Sequence, residues 1–143
     1  MIGCNFESRN EPNTFLKNSK SSCAHQFYGK HFISNFLECD SSQLANNSGI
    51  IETMREGIAL SGAKILETSF HIFEGGGMTA LFLLSESHAS IHTYPEQISC
   101  FIDMFTCGEK CDPQQFANLL KSFLKPQKTL DKFVLRDATK LGE

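Results

Sequence analysis

Three short runs of apolar or alternating residues follow one another in the middle of the chain, and this succession limits the possible folds more than any other feature. The runs cover residues 64–73, 78–85 and 89–94, and they are separated by Gly75-Gly76-Gly77 and by Glu86-Ser87-His88. Short apolar runs bounded by turn residues are typical of β-strands. The middle of the chain is therefore predicted to form consecutive strands that pair with one another.

The sequence on either side predicts two helices and further strands. Before the three runs, the domain is predicted to begin at Gly29 with a strand over His31–Cys39. A helix is then predicted from the spacing of Ile50, Ile51, Met54 and Ile58, ended by Gly62. After them come a predicted strand over 98–106, a helix from Asp112-Pro113 through the apolar positions of 116–124, and a strand over 129–135. This order predicts an α+β fold, with a single, mainly antiparallel β-sheet backed by two helices on one face as a two-layer sandwich.

The composition argues against nucleic-acid and membrane partners. With a net charge of −3 and 20% charged residues, the chain has no basic surplus to bind a phosphate backbone. It has no apolar run near the roughly 18 residues of a membrane span, and its first residues lack the apolar core of a signal peptide. We therefore expect no nucleic-acid partner, no membrane association and a cytoplasmic location.

The first 27 residues differ in character from the rest of the chain. They are rich in Asn, Ser, Lys and Glu and show neither helical nor strand periodicity. Such a segment cannot bury enough apolar surface to order itself. Residues 1–27 are therefore predicted to be a flexible N-terminal leader, and residues 28–143 a single domain, which is long enough for one core.

Six cysteines raise the question of disulfides or a metal site. They are Cys4, Cys23, Cys39, Cys100, Cys107 and Cys111. Because the chain has no secretion signal and a sizeable apolar content, we expect reduced thiols. Cys107 and Cys111 are spaced more widely than a paired zinc knuckle, and no second Cys or His pair matches them. No metal site is predicted.

The segment LLSESHASIHTYPE, residues 83–96, places a carboxylate, a hydroxyl and two imidazoles in a predicted strand, turn and strand. Together with GKHFISNFLECD at residues 29–40 and FTCGE at residues 105–109, it closely resembles the bacterial and archaeal S-adenosylmethionine decarboxylase proenzymes. The resemblance extends from about Gly29 to about Leu124, with the motifs in the family's order. It implies a lyase that converts S-adenosylmethionine to its decarboxylated form, the aminopropyl donor of spermidine biosynthesis.

The resemblance also implies a zymogen that cleaves itself between Glu86 and Ser87. In such a reaction the Ser87 hydroxyl attacks the preceding carbonyl, and the resulting ester is eliminated to leave dehydroalanine. Dehydroalanine then takes up water and loses ammonia, which leaves a pyruvoyl group. This covalent pyruvate is the implied cofactor, and it forms a Schiff base with the substrate. His92 matches the family histidine that assists processing, and Thr79 matches a supporting Ser or Thr position. Without the resemblance, Ser87 would be interpreted as a turn serine.

The remaining implied site residues are a proton donor and three substrate contacts. Cys107 matches the family cysteine proposed to protonate the product, and a thiol suits this role because the pKa of free cysteine is near physiological pH. Phe73 and Tyr94 match aromatic pocket positions, with Tyr94 in place of the common Trp, and Glu96 matches a carboxylate that binds ribose hydroxyls. Taken alone, Cys107 and Phe73 also fit core positions, and Glu96 fits a solvated strand end.

Other functions stay open at this point. A pyruvoyl-dependent arginine or ornithine decarboxylase is the main alternative, because Asn35 stands where the family's first strand commonly has Glu, and Glu74 with three glycines replaces the usual loop before Thr79. An uncleaved binding or regulatory paralogue is an alternative from another class, but it would not need Ser87, His92 and Cys107, which are all present. A serine hydrolase would need a Gly-x-Ser-x-Gly elbow, which the sequence lacks around Ser87.

The resemblance further implies an assembly of several copies. A homodimer or higher oligomer of cleaved chain pairs is expected, with the active site near a subunit junction. A domain made of one sheet with helices on one face leaves the other face to be covered, and a second sheet can cover it.

Overall fold

The polypeptide forms one six-stranded antiparallel sheet that carries its helices on one face. The computed structural model describes residues 28–85, 87–107 and 109–137. The strands are β1 (Tyr28–Leu37), β2 (Ile65–Ile72), β3 (Met78–Leu84), β4 (Ser87–Tyr94), β5 (Ser99–Cys107) and β6 (Lys128–Asp137), and the helices are α1 (Ser41–Leu44), α2 (Asn47–Leu60) and α3 (Pro113–Leu124). The strands lie side by side in the order β2-β3-β4-β5-β1-β6, with every neighbouring pair antiparallel.

One face of the sheet and the two longer helices enclose the core. Alternate residues of β1, β3, β4 and β5 point to this side, because successive side chains of a strand face opposite ways. The largest fully buried side chains are Phe32, Phe36, Phe82, Phe116, Leu44, Ile50, Met54, Ile58, Met78, Leu84, Ile91 and Met104. Burial of an apolar side chain of this size contributes on the order of 1.5–3 kcal/mol. The core thus fixes which face of each strand remains available for a site.

The helices begin and end with the signals that the sequence offers. The Asp112 carboxylate caps α3 by accepting a hydrogen bond from the Gln114 N–H at 3.0 Å, and Asn46 caps α2 through the Gly49 N–H at 2.9 Å. Where the two helices cross, a Cβ on Gly57 would lie 3.2 Å from Phe116, so glycine allows the close approach. In the described ranges, no helix is long and apolar enough to cross a membrane.

The predicted α+β architecture is confirmed, and the element boundaries shift by a few residues. The first strand begins earlier than predicted and ends at Leu37, so Cys39 lies beyond it and donates its N–H to the Ile98 carbonyl at 2.9 Å. The short helix α1 was not predicted, since Asp40-Ser41-Ser42 was interpreted only as the end of a strand. In fact Asp40 caps this helix through the Ser42 and Gln43 N–H groups. The predicted leader, residues 1–27, lies outside the described residues.

The second face of the sheet carries no helix among the described residues, and we call it the open face. It presents a mixture of polar and large apolar side chains. The apolar members are Ile33, Leu81, Leu83, Tyr94, Phe101 and Leu130, which are between 38% and 61% exposed. A solvated strand face usually carries polar residues at such positions, so the open face has the character of a surface that another layer covers.

Candidate active site

The predicted nucleophile and the predicted proton donor lie together at one end of the sheet. Ser87 begins β4, and Cys107 ends the neighbouring strand β5. The Cys107 backbone N–H donates a hydrogen bond to Ser87 Oγ at 3.2 Å. Glu86, the other half of the predicted cleavage site, lies outside the described residues. The strand pairing thus unites two residues that stand 20 positions apart in the chain.

Thr79 and His92 form a second pair near the other end of the same strands. They lie directly opposite each other in the β3–β4 ladder, and Thr79 Oγ1 and His92 Nδ1 are 2.9 Å apart, which is a hydrogen bond. Both side chains line a cavity of about 650 Å³ at the edge of the open face. The cavity lining also includes the three predicted substrate contacts, Phe73, Tyr94 and Glu96. This group of five has an aromatic, a carboxylate and an imidazole component within one concave surface.

The turn between β2 and β3 shapes the rim of that cavity. The Phe73 N–H bonds the Gly77 carbonyl at 2.7 Å, and the Gly76 N–H bonds the Phe73 carbonyl at 3.0 Å. Gly75 and Gly76 have φ angles of 99° and 88°, which only glycine adopts without strain. The turn places Phe73 and Glu74 beside Thr79 in the cavity wall. The run of glycines that replaces the family's usual loop therefore builds a tight turn.

The predicted site residues fall into two groups in one chain. Ser87 and His92 are five positions apart on β4, and at a rise of about 3.3 Å per residue this separation is about 16 Å. His92 Nδ1 is within hydrogen-bond distance of Thr79, whereas Ser87 Oγ is within hydrogen-bond distance of the Cys107 N–H. General acid–base catalysis needs contact at about 3 Å. One chain alone does not bring His92 within that distance of Ser87 in this geometry.

A further polar cluster was not recognised from the sequence. Asp103, on β5, lies between His31 on β1 and His88 on β4. Asp103 Oδ2 is 2.9 Å from His31 Nε2 and 3.1 Å from His88 Nε2. The Ser90 hydroxyl donates to the other oxygen, Oδ1. We call these four residues the Asp103 cluster. No sequence motif joins these residues, because His31 and Asp103 are 72 positions apart and only the strand order brings them together.

The electrostatics of the Asp103 cluster favour an ionised carboxylate. Burial acts to raise the pKa of Asp103, but the hydrogen bonds from Ser90 and His31 and the neighbouring His88 outweigh it and lower the pKa below its usual value. An ionised carboxylate only accepts hydrogen bonds, so each histidine Nε2 carries the proton that it donates. The rings also pack around Phe105, with centroids 5.7 Å (His31) and 5.9 Å (His88) from its ring.

The Asp103 cluster is also the one group among the described residues that could offer three metal ligands. One ligand atom each from His31, His88 and Asp103 lies within 4.8 Å of the others. Two histidines and one carboxylate suit a divalent transition metal. In this geometry, however, the Nε2 atoms of His31 and His88 both hydrogen-bond Asp103 Oδ2. The prediction that the chain holds no metal remains a prediction.

The other described cysteines are Cys39, Cys100 and Cys111, and their surroundings differ from those of Cys107. Cys39 and Cys100 are buried beside each other. Contact with the Cys39 thiol and burial raise the pKa of Cys100. A buried thiol of raised pKa is a poor proton donor to a substrate. Cys111 follows the strand end, and its carbonyl accepts a hydrogen bond from Lys30 at 3.3 Å. Among the described cysteines, Cys107 is the one whose backbone N–H donates a hydrogen bond to Ser87 Oγ.

Asn35, the first-strand departure, faces the middle of the open face. It pairs with Phe101 on one side and Leu130 on the other. Together with His92 and Asp103 it lines a shallow hollow of about 330 Å³ between the two groups of site residues. Compared with the Glu that the family commonly has here, the neutral amide of Asn35 removes a negative charge from the hollow but keeps the capacity for hydrogen bonds.

Comparison with known proteins adds an independent line of evidence. The family model described as S-adenosylmethionine decarboxylase matches residues 30–137. The S-adenosylmethionine decarboxylase proenzyme of Thermotoga maritima is 40% identical over 100 residues, which are 70% of this chain and 77% of the relative. That of Caldicellulosiruptor saccharolyticus is 39% identical over 97 residues, which are 68% of this chain and 78% of the relative.

A solved structure has a similar fold. The crystal structure of the adenosylmethionine decarboxylase from Aquifex aeolicus superposes with a TM-score of 0.73 at 20% sequence identity. The similarity covers 82% of this chain and 98% of the solved one. At that identity the comparison supports the fold, with its single sheet and helical layer.

Proposed function

The chain belongs to the S-adenosylmethionine decarboxylase family, and on this premise we propose how its own residues carry out the reaction. The enzyme decarboxylates S-adenosylmethionine, and spermidine biosynthesis fits that product. The named relatives do not favour the arginine or ornithine alternative. The observation that supports the mechanism best is the hydrogen bond between the Cys107 N–H and Ser87 Oγ, because it joins the cleavage nucleophile to the proton donor.

We propose that the chain is made as a proenzyme and is cut between Glu86 and Ser87. Ser87 suits this role because it begins β4, directly after the turn that follows β3. In the proposed reaction its hydroxyl attacks the preceding carbonyl, and the Cys107 N–H helps to orient that hydroxyl. The resulting pyruvoyl group supplies an electrophilic carbonyl that takes the substrate amine and accepts the electrons released with carbon dioxide.

Cys107 is the proposed source of the proton that replaces carbon dioxide. Its side chain is partly exposed, and its backbone is held beside residue 87 by the strand pairing. A partly exposed thiol can give up a proton and regain one from water. The buried pair Cys39 and Cys100 lacks that exchange route.

We propose that the cavity near Thr79 binds the adenosyl part of the substrate. Phe73 and Tyr94 offer aromatic faces to a flat base and to a cationic sulfonium. The Glu96 carboxylate has two acceptor oxygens for two ribose hydroxyls. His92, hydrogen-bonded to Thr79 at 2.9 Å, is oriented to move a proton during processing.

These assignments require two chains. The reacting end at Ser87 and the cavity at His92 are about 16 Å apart within one chain. Two open faces can pack together about a two-fold axis that lies between the two sheets. If this axis crosses the strands near the middle of β4, the strands of the partner run in the opposite direction to those of the first chain. Ser87 and Cys107 of one chain then approach Thr79 and His92 of its partner. The same packing would bury exposed apolar residues such as Leu81 and Leu83.

The proposal is tested by intact mass and carbon dioxide release. Wild-type protein, given time to mature, should yield residues 1–86 and a second chain whose blocked first residue derives from Ser87. Ser87→Ala should stay uncut and inactive, because alanine has no oxygen to attack the carbonyl. Release of carbon dioxide from S-adenosylmethionine, but not from arginine or ornithine, should follow the amount of cleaved protein. Pyruvoyl formation in Ser87→Ala would contradict the assignment of the cleavage nucleophile.

A further inference from the structure

The Asp103 cluster has no part in the function proposed above, yet one of its members, His88, is the neighbour of the reacting residue. His88 follows Ser87 directly, and its Nε2 donates to Asp103 Oδ2 at 3.1 Å. Asp103 lies on β5, the same strand that ends at the proton donor Cys107. Ser90, two residues further along β4, binds the second oxygen of Asp103. Two side chains near the beginning of β4 are therefore attached to one carboxylate on β5.

Self-cleavage changes what restrains residue 87. Before the cut, covalent bonds hold this residue from both sides. After the cut, β4 begins at residue 87, and its only covalent neighbour is His88. The ladder still pairs residue 87 with Leu84 and His88 with Leu83, but chain ends fray unless other contacts fix them. The His88–Asp103 hydrogen bond is such a contact, and it lies one residue from the new end.

We propose that His88 and Asp103 are positioning residues, whose hydrogen bond fixes the start of β4 after cleavage and so holds the reacting carbon of residue 87 against Cys107. This inference rests on the proposed pyruvoyl function. It gives His88 a role that begins only once the chain is cut. Neither residue needs to touch the substrate, because each acts through the position of residue 87.

His31 makes the inference testable, because it binds the same oxygen from a strand that cleavage leaves intact. His31 Nε2 lies 2.9 Å from Asp103 Oδ2, and the two imidazole rings meet edge-on with centroids 5.8 Å apart. Removing His31 takes one donor from Asp103 but leaves Ser90 and His88 attached to it. Removing His88 takes the same kind of donor but releases the new chain end.

The experiment compares full-length His88→Ala, His88→Gln and, as the matched control, His31→Ala. The cleaved fraction is measured by mass spectrometry, kcat is normalised to pyruvoyl content, KM is determined alongside it, and the oligomeric state is compared by light scattering. We expect all three to be cleaved as completely as wild type. His88→Ala should lose about tenfold to a hundredfold in kcat, since a misplacement of about 1 Å costs this much, while KM stays within about twofold. The glutamine amide can donate to Asp103, so His88→Gln should recover part of the loss, and His31→Ala should keep near wild-type kcat.

A second readout reports position directly. A displaced reacting carbon is protonated at the wrong site more often, which converts the pyruvoyl end to alanine. That end has a free amine, so N-terminal sequencing should detect alanine sooner in His88→Ala than in wild type or His31→Ala.

The outcomes separate this inference from the function on which it rests. Wild-type protein without a pyruvoyl end would overturn the proposed function. With that end present in wild type, the positioning role is overturned by wild-type kcat in His88→Ala, by an equal loss in His31→Ala, or by His88→Ala protein that stays uncut.

Discussion

A mixed dimer made from two inactive chains tests the shared active site most directly. One chain carries Cys107→Ala and the other carries His92→Ala, and different affinity tags allow the mixed dimer to be purified. If Ser87 and Cys107 of one chain work with Thr79 and His92 of the partner, one of the two sites in this dimer contains only native residues. The second site then contains both substitutions.

The expected magnitude follows from the geometry. The distance of about 16 Å between Ser87 and His92 exceeds any proton-transfer distance, so a chain cannot supply both groups to one reacting carbon. The purified mixed dimer should therefore show about half of the wild-type kcat per dimer. The two parent homodimers should show little carbon dioxide release, because every site lacks either its proton donor or its processing histidine.

The reciprocal control places both substitutions in one chain and pairs it with a native chain. With a shared site, each site of this mixed dimer contains one defect, and activity should be close to that of the inactive parents. If each site were built within one chain, the first mixed dimer would be inactive and the doubly substituted one would keep about half of the wild-type kcat. Activity of about half in the doubly substituted arrangement, and none in the first one, would therefore refute the shared site.

Three further predictions concern chemistry and stability. Cys107→Ala should still be cleaved, at least in part, because the Ser87 hydroxyl is retained. It should release carbon dioxide slowly and accumulate N-terminal alanine, and sustained normal turnover would show that another group is the proton donor. Phe116→Ala, which removes a fully buried ring packed on Gly57, should lower the free energy of unfolding in urea by about 3–5 kcal/mol, and a loss under about 1 kcal/mol would contradict the packing described. Asp103→Asn should be less stable than wild type at pH 7, because the lowered pKa of Asp103 means that its ionised carboxylate stabilises the fold. The difference should shrink as the pH falls below about 4, where the unfolded chain takes up the proton, and it should vanish below the lowered pKa of the folded state. A difference that does not shrink on acidification would show a different origin.

The strands and long helices were predictable because their signals are local. The alternation of buried and exposed positions along Met78–Leu84 indicates which side of the strand is buried, and the apolar spacing of Pro113–Leu124 does the same for the helix. Helix α1 escaped prediction because a four-residue helix has no periodicity to detect, and its cap, Asp40, also reads as a turn residue. The strand order was not predictable at this level, since nothing local indicates that β1 lies between β5 and β6.

The residues of the candidate site could be proposed from the sequence, but their arrangement could not. The family resemblance supplied Ser87, His92 and Cys107 as one catalytic set. The structure keeps Ser87 beside Cys107 but separates His92 from Ser87, since residues five positions apart on one strand cannot meet. The Asp103 cluster shows the opposite case. His31 and Asp103 have no common motif, and pairing of β1 with β5 brings them within 2.9 Å.

The strand order also bears on how a cut chain could keep its shape. Cleavage at the proposed bond would leave β1, β2 and β3 in one product and β4, β5 and β6 in the other. In the sheet these strands interleave, because β3 pairs with β4 while β1 pairs with β5 on one side and β6 on the other. Three ladders therefore join the two products, and the helices α2 and α3, one from each product, share the core beneath them. Separation of the products would require most of the sheet to unpair, so the fold tolerates a break at residue 87 that creates a new chain end beside Cys107.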